Sequence, residues 1–306
     1  MIEVKNVYKN YGPVEALKGV SFDLGKGHVI GLLGPNGAGK STIMKIMTGF
    51  LPPTQGQVKI ADIDIWENPV PAKQKIGYLP ENPPLYESMR VYDYLKFCAD
   101  LRLDHSSAER ISFVVDRLGL AEVVHKRILH LSKGFKQRVG IAQAMVHNPD
   151  VLILDEPTIG LDPVQMIEIR DLILELKKDH TIFISTHILT EVEKTCDQVI
   201  IINKGQIIAR ESIGHLSKWK NNKRVYFTVS TKPSQDQFDL LFRKFGERVK
   251  VNGNEVSFEV KDDLENSKLS QSMIEIFGGI SSMRVDDSSL EEIFVQMTSE
   301  QANETR

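Results

Sequence analysis

Gly34-Pro35-Asn36-Gly37-Ala38-Gly39-Lys40-Ser41-Thr42 gathers, in one short run, what is needed to hold a polyphosphate. The order fits G-x-x-x-x-G-K-[ST]. Glycines let backbone N–H groups converge on an anion with no Cβ in the way. Lys40 is expected to reach the β- and γ-phosphates, Ser41 to ligate Mg²⁺, and Thr42 to bring a hydroxyl near the α-phosphate. Further along, Val151-Leu152-Ile153-Leu154-Asp155-Glu156 is an apolar run ending in two carboxylates. Asp155 would hold Mg²⁺ through its water shell, and Glu156 would polarise an attacking water as general base. Each motif alone has a plain structural reading, a Gly-rich turn or an acidic turn after a strand. Together they specify nucleoside-triphosphate hydrolysis.

That chemistry requires a strand and a helix on either side of the glycines. His28–Leu33 reads as the strand, and Ser41–Thr48, with Ile43, Met44, Ile46 and Met47 at helical spacing, as the helix, with Gly49 as its stop. The helix start then points its positive end at the same anion. Val151–Leu154 and Thr181–Ser185 read as further strands, flanking a helix with Ile169, Leu172, Ile173 and Leu176 on one face. Val199–Ile202 and Gln206–Ala209 flank Asn203-Lys204-Gly205, a hairpin signal. The fold class is therefore α/β, with a helical subdomain inserted over about residues 88–145. Residues 1–217 form the nucleotide-binding domain and 218–224 a polar, basic linker. Residues 225–298 form a small C-terminal α+β accessory domain and 299–306 a polar tail. The accessory pattern β-α-β-β-α-β suits a ferredoxin-like unit. It ends in a predicted helix over Leu290–Met297.

Composition narrows the classes. The 306 residues carry 38 Lys and Arg against 41 Asp and Glu, a formal charge of −3, so no basic bias points to nucleic acid. At 41% hydrophobic and 26% charged residues the chain is globular rather than disordered. No apolar run approaches the roughly 18 residues of a membrane span. The start MIEVKNVYKN lacks the apolar core of a secretion signal. The two cysteines are too few for a disulfide framework, so a reducing cytosol is expected.

Three more segments narrow the reading. Leu131-Ser132-Lys133-Gly134-Phe135-Lys136-Gln137-Arg138-Val139 lies upstream of the acidic strand, and Gly160-Leu161-Asp162 and Ser185-Thr186-His187 lie downstream. This order resembles the ATP-binding subunit of an ATP-binding-cassette (ABC) transporter over roughly residues 1–215: a P-loop NTPase cassette. The family's signature is Leu-Ser-Gly-Gly-Gln; here Lys133 and Phe135 stand in place of a glycine and the glutamine. With Gly77-Tyr78-Leu79-Pro80-Glu81-Asn82, the variant looks like the bacterial type-2 exporter, gliding-motility-type branch.

The resemblance implies further roles. Tyr11 would stack on adenine. Glu81, where the family usually has Gln, would face Mg²⁺ and the membrane partner, or stand as a solvated loop acid. His187 would contact the γ-phosphate. Ser132 and Gly134 would face the ATP of an opposite subunit, and Asp162 would cross the same interface. Lys133 either adds charge toward that phosphate or faces solvent. The implied cofactors are ATP and Mg²⁺. The implied partners are a membrane permease, docking near Glu81 and the 83–95 loop, and a second ATP-binding subunit as a homodimer, with no nucleic acid. The implied location is cytoplasmic, peripheral on the inner membrane face. The competing reading is a soluble ABC ATPase acting on ribosome or DNA.

Overall fold

The computed structural model describes residues 1–103, 107–215, 223–230, 232–260 and 263–287. The chain divides into two units, Met1–Ile213 and Gly214–Arg306. The first opens with β1 (Ile2–Tyr11), β2 (Val14–Leu24), β3 (Val29–Leu33) and α1 (Lys40–Met47). Then come β4 (Gln55–Ile60), β5 (Ile63–Asp64), α2 (Pro69–Gln74) and β6 (Ile76–Leu79). The helical stretch holds α3 (Val91–Asp100), α4 (Ser107–Arg117) and α5 (Lys133–Met145). It closes with β7 (Val151–Asp155), α6 (Pro163–Leu176), β8 (Thr181–Thr186), α7 (Leu189–Thr195), β9 (Gln198–Asn203) and β10 (Gln206–Ser212).

The central sheet runs β10-β9-β3-β8-β7-β6, parallel except for the β9–β10 hairpin. Every residue of β3, β7 and β8 is buried. That explains their unbroken apolar runs, since parallel strands covered on both faces need no alternation. Helix α1 buries Ile43, Met44, Ile46 and Met47 on one side of this sheet, together with Ile30, Leu32 and Ile153. The α3–α5 subdomain and α6 pack on Leu152, Leu154, Ile182 and Ile184. The β9–β10 turn carries Lys204 and Gly205 at φ 45° and 80°. A primed hairpin turn requires these positive values.

A second, antiparallel sheet, β2-β1-β4-β5, covers the α1 side. Its β1–β2 register shifts between Val4 and Val7, between Val7 and Lys9, and between Lys9 and Asn10. Such shifts break the period-two pattern by which a strand is read from sequence.

The second unit contains β11 (Lys223–Thr228), α8 (Gln235–Phe245), β12 (Val249–Asn252), β13 (Glu255–Val260), α9 (Asp263–Phe277) and β14 (Ser282–Asp287). Its antiparallel sheet runs β12-β13-β11-β14. This is the strand order of a ferredoxin-like split β-α-β unit. Ser234 begins α8 with a reciprocal capping box to Gln237. Phe227, Phe258 and Phe245 meet edge to face in its core. The expected linker is corrected at its end: Lys223 and Arg224 pair with Val260 and Glu259 and so belong to a strand. Residues 218–222, the predicted helix Leu290–Met297 and the tail 299–306 lie outside the described residues.

Candidate nucleotide site

Strand β3 delivers the Gly34–Gly39 loop at its C-terminal edge, and α1 begins at Lys40. Gly39 caps that helix at φ 108° and ψ 3°. A Cβ there would lie 2.9 Å from the Ala16 carbonyl, so only glycine allows this approach. Lys40 is 6% exposed. Its ammonium donates to the carbonyls of Gly34 at 2.7 Å and Pro35 at 3.3 Å, and lies 3.8 Å from Glu156 Oε1. Burial lowers its pKa, opposed by the Glu156 and Asp155 carboxylates.

Two strands over from β3, β7 ends in Asp155, and Glu156 follows it at φ 47°, in the left-handed region. Both carboxylates are buried. The third strand, β8, carries Ser185, whose hydroxyl donates to Asp155 and accepts the Glu156 N–H at 3.0 Å. The Asp155 pKa is raised, chiefly by burial and also by the Glu81 charge, while the Ser185 and Ser41 hydroxyls and Lys40 pull it down. Just past β8, His187 Nδ1 lies 3.0 and 3.1 Å from the two Glu156 oxygens, so the tautomer protonated there donates to the carboxylate.

These groups surround a cleft of about 410 Å³, within the roughly 300–1,000 Å³ of ligand pockets. Asn36, Gly37, Gly39, Lys40, Ser41, Thr42, Glu81, Glu156 and His187 line it. Ala16 and Ile159 complete the wall, and sequence reading named neither. It also gave no role to Ser185, although Ser185-Thr186-His187 was the available signal.

The donor set fits Mg²⁺. The Ser41 hydroxyl faces Asp155, with the Glu81 charge nearby, and all are hard oxygen donors. Among the described residues no group of three or more His, Cys, Asp and Glu could hold a metal alone. Phosphate oxygens and water would have to complete such a shell.

The remaining candidates lie elsewhere. Tyr11, at the end of β1, is half exposed and outside the cleft wall, with the Lys9 ammonium 5.4 Å from its ring centroid. Ser132 caps α5, its hydroxyl accepting the Phe135 N–H at 3.3 Å. Asp162 caps α6, accepting from Val164 and Gln165 at 3.0 and 2.9 Å. Lys133 packs over its own chain: a Cβ at Gly160 would lie 2.1 Å from its ammonium. Lys133 is nonetheless an exposed residue. Gly134 packs likewise against Gln165, where a Cβ would come within 3.0 Å.

The ABC transporter family profile matches residues 17–159. The ABC transporter ATP-binding protein YhcH of Bacillus subtilis (strain 168) is 34% identical over 313 residues, covering 100% of this chain and 98% of that protein. The chain belongs to the ABC transporter ATP-binding protein family. It is an ATP-binding and ATP-hydrolysing subunit of a transporter. The bacitracin transport ATP-binding protein BcrA of Enterococcus faecalis is 38% identical over 234 residues, 75% of each chain. Among solved structures, the dimeric ABC transporter cassette MJ0796 aligns with TM-score 0.63 and 27% identity, over 70% of this chain and 99% of that one. The same cassette in a post-hydrolysis state with ADP and Pi aligns with TM-score 0.63 and 26% identity, over 70% and 99%. ABC ATP-binding subunits of this kind dimerise and work with permease components. Among the described residues no helix is long and apolar enough to cross a membrane.

Proposed function

We propose that this ABC subunit powers an exporter of the type-2, gliding-motility-type branch by ATP-driven closure of a homodimer. The observation that carries the reading is Glu156, buried between Lys40 and His187 at the cleft. Lys40 holds the β- and γ-phosphates, and the Gly34–Gly39 amides and the α1 start hold the rest. Glu156 accepts the proton of the attacking water as its oxygen bonds to the γ-phosphorus and the bond to ADP breaks. His187 fixes the Glu156 carboxylate through its Nδ1–H, and in its doubly protonated form also donates toward the γ-phosphate through Nε2–H. When bound, Mg²⁺ would neutralise charge on the phosphates, held by Ser41 and, through water, by Asp155, with Glu81 at the lip.

Ser132, Lys133 and Gly134 lie outside the cleft wall. Their use requires an ATP held by a second copy, with Asp162 crossing the same interface and Tyr11 stacking on the adenine. Shifting a dimer from 1:99 to 99:1 closed takes about 5.5 kcal/mol, about 2.7 kcal/mol for each of two ATP molecules. One or two charge-assisted hydrogen bonds from a capped helix start to a γ-phosphate supply that, at about 1.5–3 kcal/mol each. ADP lacks the group and releases the clamp.

A permease helix docks in the apolar groove of about 390 Å³ lined by Phe50, Tyr78, Pro80, Asn82, Pro84 and Arg102. Phe50 is 76% exposed there, beside Tyr78. Such docking places the chain at the cytoplasmic face of a membrane. Relatives named for transport of bacitracin and lantibiotic, and for linearmycin resistance, support an exporter over a ribosome or DNA ATPase.

The test is light scattering of Glu156→Gln protein. With ATP and Mg²⁺ its mass should double, and with ADP it should not. A monomer at saturating ATP overturns the clamp. Phe50→Asp should abolish co-purification with the permease while leaving ATP binding intact.

A further inference from the structure

The β9–β10 hairpin turns through Lys204 and Gly205, and Gly205 reaches two walls of the nucleotide cleft from behind. Its N–H donates to the Ala38 carbonyl at 2.9 Å, and its own carbonyl accepts the Lys18 N–H of β2 at 2.9 Å. The Ala16 carbonyl sits between two glycines: a Cβ would lie 2.6 Å from it at Gly205 and 2.9 Å from it at Gly39. Gly205 is buried and is not part of the cleft lining, whereas Ala16 and Gly39 both line it.

The bond to Ala38 sets a direction. The Ala38–Gly39 peptide is trans, and a planar trans peptide points its C=O and its N–H opposite ways. Holding the Ala38 carbonyl toward Gly205 therefore turns the N–H of the same peptide, that of Gly39, toward the cleft. The next peptide is fixed by α1, since the Gly39 carbonyl accepts the Ile43 N–H at 3.0 Å. We infer that Gly205 is a positioning residue for ATP: it clamps the Ala38–Gly39 peptide so that the Gly39 N–H meets the phosphates. This rests on the reading of residues 34–42 as the phosphate cradle. An amide that bonds phosphate equally in the ground and transition states contributes uniform binding, which shows in KM and not in kcat.

The experiment is an amide-to-ester exchange at Gly205 in the full-length protein, which removes the donor and keeps the turn. KM for ATP should rise about ten-fold, the loss of a hydrogen bond to a charged group, with kcat unchanged. The Gly39 amide signal should lose most of its NMR shift on addition of ATP. Gly205→Ala, which drives a Cβ into the Ala16 carbonyl, should raise KM in the same way. A merely structural loss instead lowers the folded fraction, so that kcat falls at constant KM. Lys204→Gly, which relieves the φ of 45° in the same turn, should keep wild-type KM and kcat. An ester variant with wild-type KM, with a reduced kcat alone, or with an undiminished Gly39 shift overturns the clamp. Lys40→Ala keeps the two readings apart. If it leaves ATP binding intact, the cradle fails and the clamp with it; if it weakens ATP binding and the ester does not, only the role of Gly205 fails.

Discussion

Ser185→Ala is the most direct probe of how the catalytic acids are tuned. The Ser185 hydroxyl is buried, donates to Asp155 and accepts the Glu156 N–H. Without it, Asp155 loses a donor to its ionised form, and the Glu156 N–H keeps only the Ser185 carbonyl at 3.2 Å. A hydrogen bond to a charged group contributes about 1.5–3 kcal/mol. At 1.36 kcal/mol per pH unit, that raises the Asp155 pKa by about one to two units. Burial already holds this pKa above the usual carboxylate range, so the increment moves the protonated form toward the working pH. The assay is kcat/KM for ATP across pH 5–9, whose acid limb reports essential groups of the free enzyme. The limb should shift to higher pH by about one to two units, with the alkaline limb fixed. Urea unfolding at pH 8 should show a loss of about 1–3 kcal/mol. An acid limb that stays in place, with stability reduced, refutes the assignment of that limb to Asp155.

Burial and the neighbouring Arg102 push His147 down to about 4. Between about 4 and the unfolded value of 6.5 the unfolded chain binds more protons, so stability is full above 6.5 and falls as pH drops toward 4, by up to about 3 kcal/mol; urea midpoints of wild type and His147→Gln across that window should converge at low pH. Gly77→Ala would set a Cβ 2.2 Å from the Ala144 carbonyl, wedging β6 off α5 and costing about 3 kcal/mol in denaturant unfolding. Gly160→Ala meets the Lys133 ammonium and a φ of 66°; it should cost about 1–2 kcal/mol from the backbone alone. A double-mutant cycle with Lys133→Ala should recover only the side-chain part, by at least about 0.5 kcal/mol.

The chemistry was legible where it is local. Residues 34–42 and 151–156 are contiguous, and their flanking strand and helix show the right periods, so the local fold and the cleft built on it could be read there. His187 was legible because an apolar strand ends beside it. Ser185 escaped because its importance is a contact across two strands that neighbour each other only in the folded sheet. The β2-β1-β4-β5 sheet escaped because its bulges interrupt alternation. The seat of Lys133 over Gly160 is likewise tertiary: no spacing rule places a side chain on a turn 27 residues away.

The torsion of Glu156 has an evolutionary consequence. A left-handed φ suits glycine or asparagine and burdens a glutamate by roughly 1–2 kcal/mol. Variants selected for heat resistance alone should therefore drift at this position toward the residues its torsion favours. Lineages selected for turnover should keep returning the less comfortable acid. The position thus separates the two pressures, with robustness pulling one way and chemistry the other.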